Sequence, residues 1–479
     1  MTCPKELRSV PEPSFTEQKQ IGHAMPPAAG RAWASSASWK ILRATGILTG
    51  FSGVVLAATV ARELVTASYF GRSDAVDAYL IAYVVPSFVV GIVAYSFNLA
   101  LIPVFVEVRQ REGPTAAQRL FSGAMVWSLG LLVAVVLLLA ALGPWYLPLL
   151  GSGFTASKLL LTRHLLYVML PLIALTGITS NGTAVLNAGE RFALPGALPV
   201  LPPLAAFAFV ILFGKSWSVY SLAAGTVVGT ALQAAMLAWV ARAHGIDLTP
   251  RWYGVDPKLR MVISQYLPMM AGALLLGTTD LVDQSMAAML PGGSVAAFGY
   301  ARKIVSVLVV VGALPLGAAS LPYFSEMAAK GAWDACRHTL RTVGGVILLV
   351  TVPVTAGLVL FAHPLVRLLF ERGAFTPHDT AVVSRVEAWL ALQIPFYLLC
   401  ILGLRVVSAL KRNAVLTGIA AFTTTLNVVL NLLLMRVYGV AGIALSTSIV
   451  YFVCALLIFV AIYALIRRNQ ARAPAGAGI

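Results

Sequence analysis

The sequence predicts an all-α integral membrane protein, with about twelve transmembrane helices in two parallel-repeat six-helix bundles. Three observations predict it. The 479-residue chain is 59% hydrophobic and only 11% charged, whereas a soluble chain carries about 25% charged residues. Its apolar runs are continuous over about 20 residues instead of alternating, which suits lipid-spanning helices and not a β-barrel. Two short motifs also recur at nearly the same offset, in the same order.

Residues 1–38 are polar, with Pro-rich and Ala/Ser-rich stretches and no apolar leader region. They read as a disordered cytoplasmic tail. An N-terminal six-helix lobe, 39–243, follows, with spans near 41–66, 76–106, 119–142, 160–187, 192–213 and 218–241. A basic cytoplasmic linker, 244–259, leads to a C-terminal lobe, 260–468, with spans near 260–288, 295–326, 340–363, 381–410, 413–435 and 439–466. Residues 469–479 form a second cytoplasmic tail. Prolines interrupt several spans: Pro86, then Pro195, Pro199, Pro202 and Pro203, then Pro268, Pro315 and Pro395. Bent helices suit alternating access and also arise as plain packing kinks.

Basic residues choose the orientation. With a cytoplasmic N-terminus, 22 Lys and Arg fall on the cytoplasmic side and 7 on the other, as the positive-inside rule requires. An even number of spans puts both termini in the cytoplasm. The net charge of +16 is explained by these loops, so no nucleic-acid partner is expected. Cys3, Cys336, Cys400 and Cys454 have no CxxC spacing and no histidine cluster. Neither disulfide nor metal site is expected.

The repeat is local but in register. Ala100–Val108 (ALIPVFVEV) matches Ala319–Met327 (ASLPYFSEM) at an offset of 219 residues. Gly143–Thr155 (GPWYLPLLGSGFT) matches His363–Thr376 (HPLVRLLFERGAFT), with the Phe-Thr pairs offset by 221. Pro171 and Pro395 sit at similar points of spans four and ten. Six spans separate each pair, so the halves share one orientation and are related by an axis along the membrane normal. In the second motif Thr376 is placed to cap a helix, with Pro377 at its first position and Asp379 three residues on.

Ionisable groups inside spans are expensive and usually face a cavity or a partner. A cationic lining of Arg62, Arg302 and Lys303, extended by Arg405 where that residue faces inward, would bind an anionic headgroup such as a diphosphate. Asp77, which opens span two, is counted with them among the substrate-binding residues of the cavity. Snorkelling to the interface is the simpler account of Arg385, Glu387 and Arg405. Asp280 or Asp283 with Asn427, Asn431 and Thr447 offers oxygens for a sodium ion, or a carboxylate for a proton. Interhelical hydrogen bonding is the simpler account of that group.

The stretches 61–88 (ARELVTASYFGRSDAVDAYLIAYVVPSF), 282–304 (VDQSMAAMLPGGSVAAFGYARKI), 314–326 (LPLGAASLPYFSE) and 369–380 (LFERGAFTPHDT) resemble the MurJ/MviN lipid II flippases of the multidrug/oligosaccharidyl-lipid/polysaccharide (MOP) exporter superfamily. The resemblance runs from about residue 40 to 468. It implies two lobes in a V that open alternately. It implies flipping of undecaprenyl-diphosphate-linked peptidoglycan precursor from the cytoplasmic to the outer leaflet. Arg62 and Asp77 match family residues, and Lys303 falls where the family has arginine. Leu56, Val90 and Gly91 stand where many members have arginines, Arg302 where the family is often acidic or Asn, and many members have fourteen spans. A MurJ-like flippase for exopolysaccharide or O-antigen units is the alternative, and a cation-coupled drug antiporter the next. A membrane glycosyltransferase would need a loop-borne catalytic domain, and no loop here is long enough. The chain is therefore expected not to be an enzyme. It is expected in the bacterial inner membrane as a monomer, without a cofactor beyond Na+ or H+ coupling, with a polyprenyl-diphosphate-linked oligosaccharide and membrane lipids as its partners.

Overall fold

The computed structural model describes residues 50–188, 193–245, 249–254, 256–410 and 412–472. The tail expected at 1–38, the start of the first span and residues 473–479 lie outside the described residues. Every element among those described is helical.

The first half comprises α1 (Gly50–Phe70), α2 (Asp74–Glu112), α3 (Pro114–Leu150), α4 (Ala156–Met169), α5 (Pro171–Ala188), α6 (Ala193–Ala197), a 3-10 turn over Leu198–Val200, α7 (Leu201–Trp217) and α8 (Tyr220–Ala243). The second comprises α9 (Pro257–Ala287), α10 (Ser294–Ala329), α11 (Trp333–Leu360), α12 (Ala362–Phe370), α13 (Pro377–Ala391), α14 (Gln393–Ala409), α15 (Asn413–Tyr438) and α16 (Val440–Arg472). Each predicted span coincides with one helix or one broken helix. Ten of them are long and apolar enough to cross a membrane. Helices α9 and α10, of 31 and 36 residues, take the seventh and eighth places and carry Asp280, Asp283, Arg302 and Lys303.

Helix ends run past the predicted spans. Helix α2 has 39 residues, and α16 continues to Arg472, so the second tail starts later than 469. Hydropathy marks only the lipid-facing part of a helix, whereas backbone hydrogen bonding carries the helix on into water. The breaks fall at proline. Span four divides before Pro171, and span ten divides at Leu392, three residues before Pro395. A proline past the first turn removes a helical N–H, so the chain restarts there. The same break in the fourth span of each half is a structural trace of the repeat.

The Phe-Thr motifs end alike. Thr155 Oγ1 accepts from Lys158 N as the N-cap of α4. Thr376 caps α13, and Asp379 completes a capping box with Pro377 in the first turn, as the local sequence predicts. Upstream they differ. Leu147 and Leu150 remain within α3, whereas His363–Phe370 forms the separate helix α12, which buries Ala362, Val366 and Phe370 along one face.

Apolar packing divides into three clusters. One holds α2 to α5, α7 and α8 together with the first turns of α9, where Leu259, Val262 and Tyr266 are buried. A second lies within the other half, on α10, α11, α14 and α16. The third joins the halves: Ala67, Val76 and Ile81 pack with the end of α9 and with α10, α12, α13 and α16. Helix α9 thus begins in one core and ends in another.

At one end of the bundle the halves interlock through glycines. A Cβ on Gly71 or Gly373, both at positive φ, would overlap the carbonyl oxygen of Ala374 or Ser68 respectively, and a Cβ on Gly153 would overlap that of Ala288. Ala374 N donates to Ser68 O at 2.8 Å. Tyr300, Phe370 and Phe375 pack ring to ring beneath, with centroids 5.3 to 5.7 Å apart, and Tyr300 OH donates to Gly71 O at 3.0 Å.

Candidate functional site

Arg62 and Glu63 sit in the middle of α1 and form an ion pair. Across the junction, Lys303 of α10 places its Nζ 3.7 Å from the same Glu63 oxygen. The three line one cavity with Thr66, Tyr79 and Tyr83. One carboxylate is shared by two cations from opposite halves, so the group carries one uncompensated positive charge. The cavity they line is about 40 Å³, room for a few waters.

Asp77 lies elsewhere and is fully engaged. Lys158 Nζ donates to Asp77 Oδ2 at 2.7 Å and to Asp74 Oδ1 at 2.6 Å. Gly293 N and Ala296 N donate to the two Asp77 oxygens, each at 2.7 Å. Asp77 of α2 thereby caps the N-terminus of α10, whose own cap residue, Gly293, has no side chain to do so. Lys158 also stacks its ammonium 4.1 Å from the Phe154 ring centroid. Nearby, Arg72 Nε donates to Asp379 Oδ1 at 3.0 Å. Arg72–Asp379 and the α10 amides on Asp77 tie the halves together at the glycine interlock.

Arg302 does not join Arg62 and Lys303. It pairs with Asp280 in a second cavity of about 230 Å³ that also holds Asp283, Gln393, Tyr397 and Thr447. Consecutive helical residues point about 100° apart, so Arg302 and Lys303 serve different spaces. Of the five proposed cation-site residues, four come together. Asp283 Oδ1 accepts from Asn427 Nδ2 at 3.1 Å and from Asn431 Nδ2 at 2.7 Å, and Oδ2 accepts from Thr447 Oγ1 at 3.0 Å. Asp280 stands apart with Arg302, its side chain 58% exposed. Asn431 Oδ1 is buried without a partner.

Glu387, expected at the interface, is instead 0% exposed, with neither carboxylate oxygen hydrogen-bonded. Helix α13 turns one face inward, with Val383, Glu387, Leu390 and Ala391 buried along it, so Glu387 points into the packing and away from water. Arg385, two residues away, is exposed as expected. Sequence reading missed Lys158, which counted only as a loop residue. Its one local signal is its place four residues after Phe154 and three after a capping Thr155.

This arrangement, two six-helix halves meeting at a charged cavity inside a membrane, defines a transporter of the MOP-type fold. The chain belongs to the MurJ family: the family model described as Lipid II flippase MurJ matches residues 66–474. A Vibrio cholerae protein named probable lipid II flippase MurJ is 25% identical over 433 residues, covering 86% of this chain and 81% of that protein. A Burkholderia cenocepacia protein named lipid II flippase MurJ is 26% identical over 367 residues, covering 73% and 69%. Among solved structures, a lipid II flippase MurJ in an inward closed conformation superposes with a TM-score of 0.75 at 19% identity, over 88% of this chain and 90% of that one. An inward-facing multidrug transporter of the MATE family, also of the MOP superfamily, superposes with a TM-score of 0.72 at 12% identity, over 88% and 96%.

Proposed function

We propose that the chain flips lipid II, the undecaprenyl-diphosphate-linked peptidoglycan precursor, from the cytoplasmic to the outer leaflet by alternating access. The observation that carries this reading is the shared Glu63: Arg62 and Lys303, from opposite halves, hold one positive charge more than the carboxylate neutralises. A diphosphate entering between them completes that charge balance. Arg62 grips through a planar fork and Lys303 as a point charge. A cavity of about 40 Å³ is too small for a headgroup, so the lobes, 39–243 and 260–468, must part about the linker 244–259 to admit it. Arg302 and Asp280 then border the path on the second lobe, while Asp77 keeps α2 against α10.

The bias of basic residues toward one set of loops supports both termini lying in the cytoplasm of a bacterial inner-membrane protein. The glycine interlock then lies at the outer end, which fits a carrier loading from inside. The MurJ family is one of transporters, so the named residues bind and release and no bond is broken. One chain supplies both halves of the cavity, so a monomer suffices. Asp283, Asn427, Asn431 and Thr447 supply one carboxylate, two amide carbonyls and a hydroxyl, an oxygen set that a coupling Na+ would accept; a proton on Asp283 would serve the same coupling. Turning either amide over presents its carbonyl, and the unpartnered Asn431 Oδ1 is available for this.

The test is complementation in cells depleted of their own lipid II flippase. Wild-type protein restores growth, and Arg62→Ala at equal membrane level does not. Failure of the wild type, with the protein shown in the membrane, would move the substrate to another polyprenyl-linked glycan. Full rescue by Arg62→Ala would remove the role given to Arg62.

A further inference from the structure

On the side of the second half away from the junction, helices α11, α14 and α16 leave a trough of about 420 Å³. Gly344 and Gly345 form its floor on α11, and Leu348, Phe452, Leu456 and Phe459 form its walls. A Cβ on Gly345 would meet nothing within 4 Å, so this floor position opens onto free space. Its only charged lining residue, Arg341, stands at one mouth beside Tyr463.

Charge is concentrated at that mouth. Arg341 Nε donates to Tyr463 OH at 3.3 Å, with the guanidinium 5.9 Å from the ring centroid. No described residue takes its two terminal nitrogens. Arg337 lies one turn before Arg341 on α11, and Arg467 lies one turn after Tyr463 on α16, so both apolar faces end in arginine. The acid within reach, Asp334, already accepts from Gln470 at 3.1 Å, and Gln470 in turn accepts from Arg337. On α16 the lining runs from Phe452 to Tyr463, eleven residues or about 16 Å at helical rise. One leaflet of a ~30 Å hydrocarbon core has about that depth.

We infer that this trough is a binding site for an anionic phospholipid, with one acyl chain along the glycine floor and the phosphate on Arg341. The length fits one leaflet, the aromatic walls fit a flexible chain, and the arginines fit a negative headgroup and give no advantage to a neutral one. Basic pockets between transmembrane helices recognise anionic lipids in this way. The site stands apart from both charged cavities and does not depend on the transport reading.

The experiment is native mass spectrometry of the purified full chain released from detergent. The probes are phosphatidylglycerol and phosphatidylcholine of the same acyl chains, and undecaprenyl phosphate. Phosphatidylglycerol is expected to bind about fivefold more tightly than phosphatidylcholine. Arg341→Gln removes that preference, and Gly345→Leu, which puts a side chain into the trough from a position where a Cβ meets nothing within 4 Å, weakens both phospholipids. Thermal unfolding checks that each variant is folded; were Gly345→Leu unfolded, Arg341→Gln alone would decide. Equal binding of the two phospholipids to wild type, or a preference that survives Arg341→Gln, overturns the proposal. So does undecaprenyl phosphate as the only probe sensitive to Gly345→Leu, which would make the trough an isoprenoid site.

Discussion

Two ion clusters touch α10, one at its first turn and one about two and a half turns along, and they use the same chemistry in inverse proportion. At the first, one cation, Lys158, serves two carboxylates, and Asp77 also accepts from two backbone amides of α10. At the second, one carboxylate, Glu63, serves two cations. The first has every acceptor of its buried aspartate occupied, so it holds structure. The second keeps a surplus positive charge beside a cavity, so it can take a ligand. Residue type does not separate the two roles; stoichiometry and access to space do.

That comparison can be broken in order of effect. Lys158→Met leaves Asp77 buried without its cation, and should cost about 3–5 kcal/mol of stability, read as a large fall in the thermal midpoint in detergent. Adding Asp77→Asn to it should recover part of the loss. Arg62→Ala should behave oppositely. Lys303 remains to balance Glu63, so the thermal midpoint changes little, while lipid II binding weakens by roughly 1.5–3 kcal/mol, about 10- to 100-fold. Equal thermal losses in these two variants would erase the distinction between the clusters. Asp379→Ala removes both the box partner of Thr376 and the Arg72 link; a loss of about 1–2 kcal/mol is expected, with greater labelling of a cysteine placed at Ala374. The smallest effect is expected from Lys303→Arg, which keeps the charge and adds a fork. Its transport should stay within roughly twofold of wild type, measured by the same complementation.

How much of this was legible in the sequence depends on range. The twelve spans follow from continuous apolar runs, and the Thr376 box follows from residues three apart, because both are local. The repeat was legible because two motifs recur in register at offsets of 219 and 221 residues, with Pro171 and Pro395 at similar points of the fourth span of each half. The Lys158–Asp77 pair was not, since its members stand 81 residues apart and Lys158 looks like any loop lysine. The separation of Arg302 from Lys303 could have been read: neighbours on a helix cannot both face one narrow cavity. Glu387 was misplaced because hydropathy finds spans but not which face of a helix packs inward, and Glu387 shares the inward face of α13 with Val383, Leu390 and Ala391. Asn427 and Asn431, four apart on α15, were readable as one face; their common partner Asp283 was not.

The glycine interlock has a further consequence. Gly153 sits against Ala288, and Gly373 sits against Ser68. Shifting Gly153 forward and Ala288 back by the repeat offset of about 220 residues yields Gly373 and Ser68, the other pair with its halves exchanged. A contact in which i meets j and j meets i is isologous, the signature of a two-fold dimer. The two halves therefore meet as two copies of one subunit would, and the covalent linker joins surfaces already complementary to each other. A half expressed alone would present both sides of that contact, and so would carry the means to pair with itself.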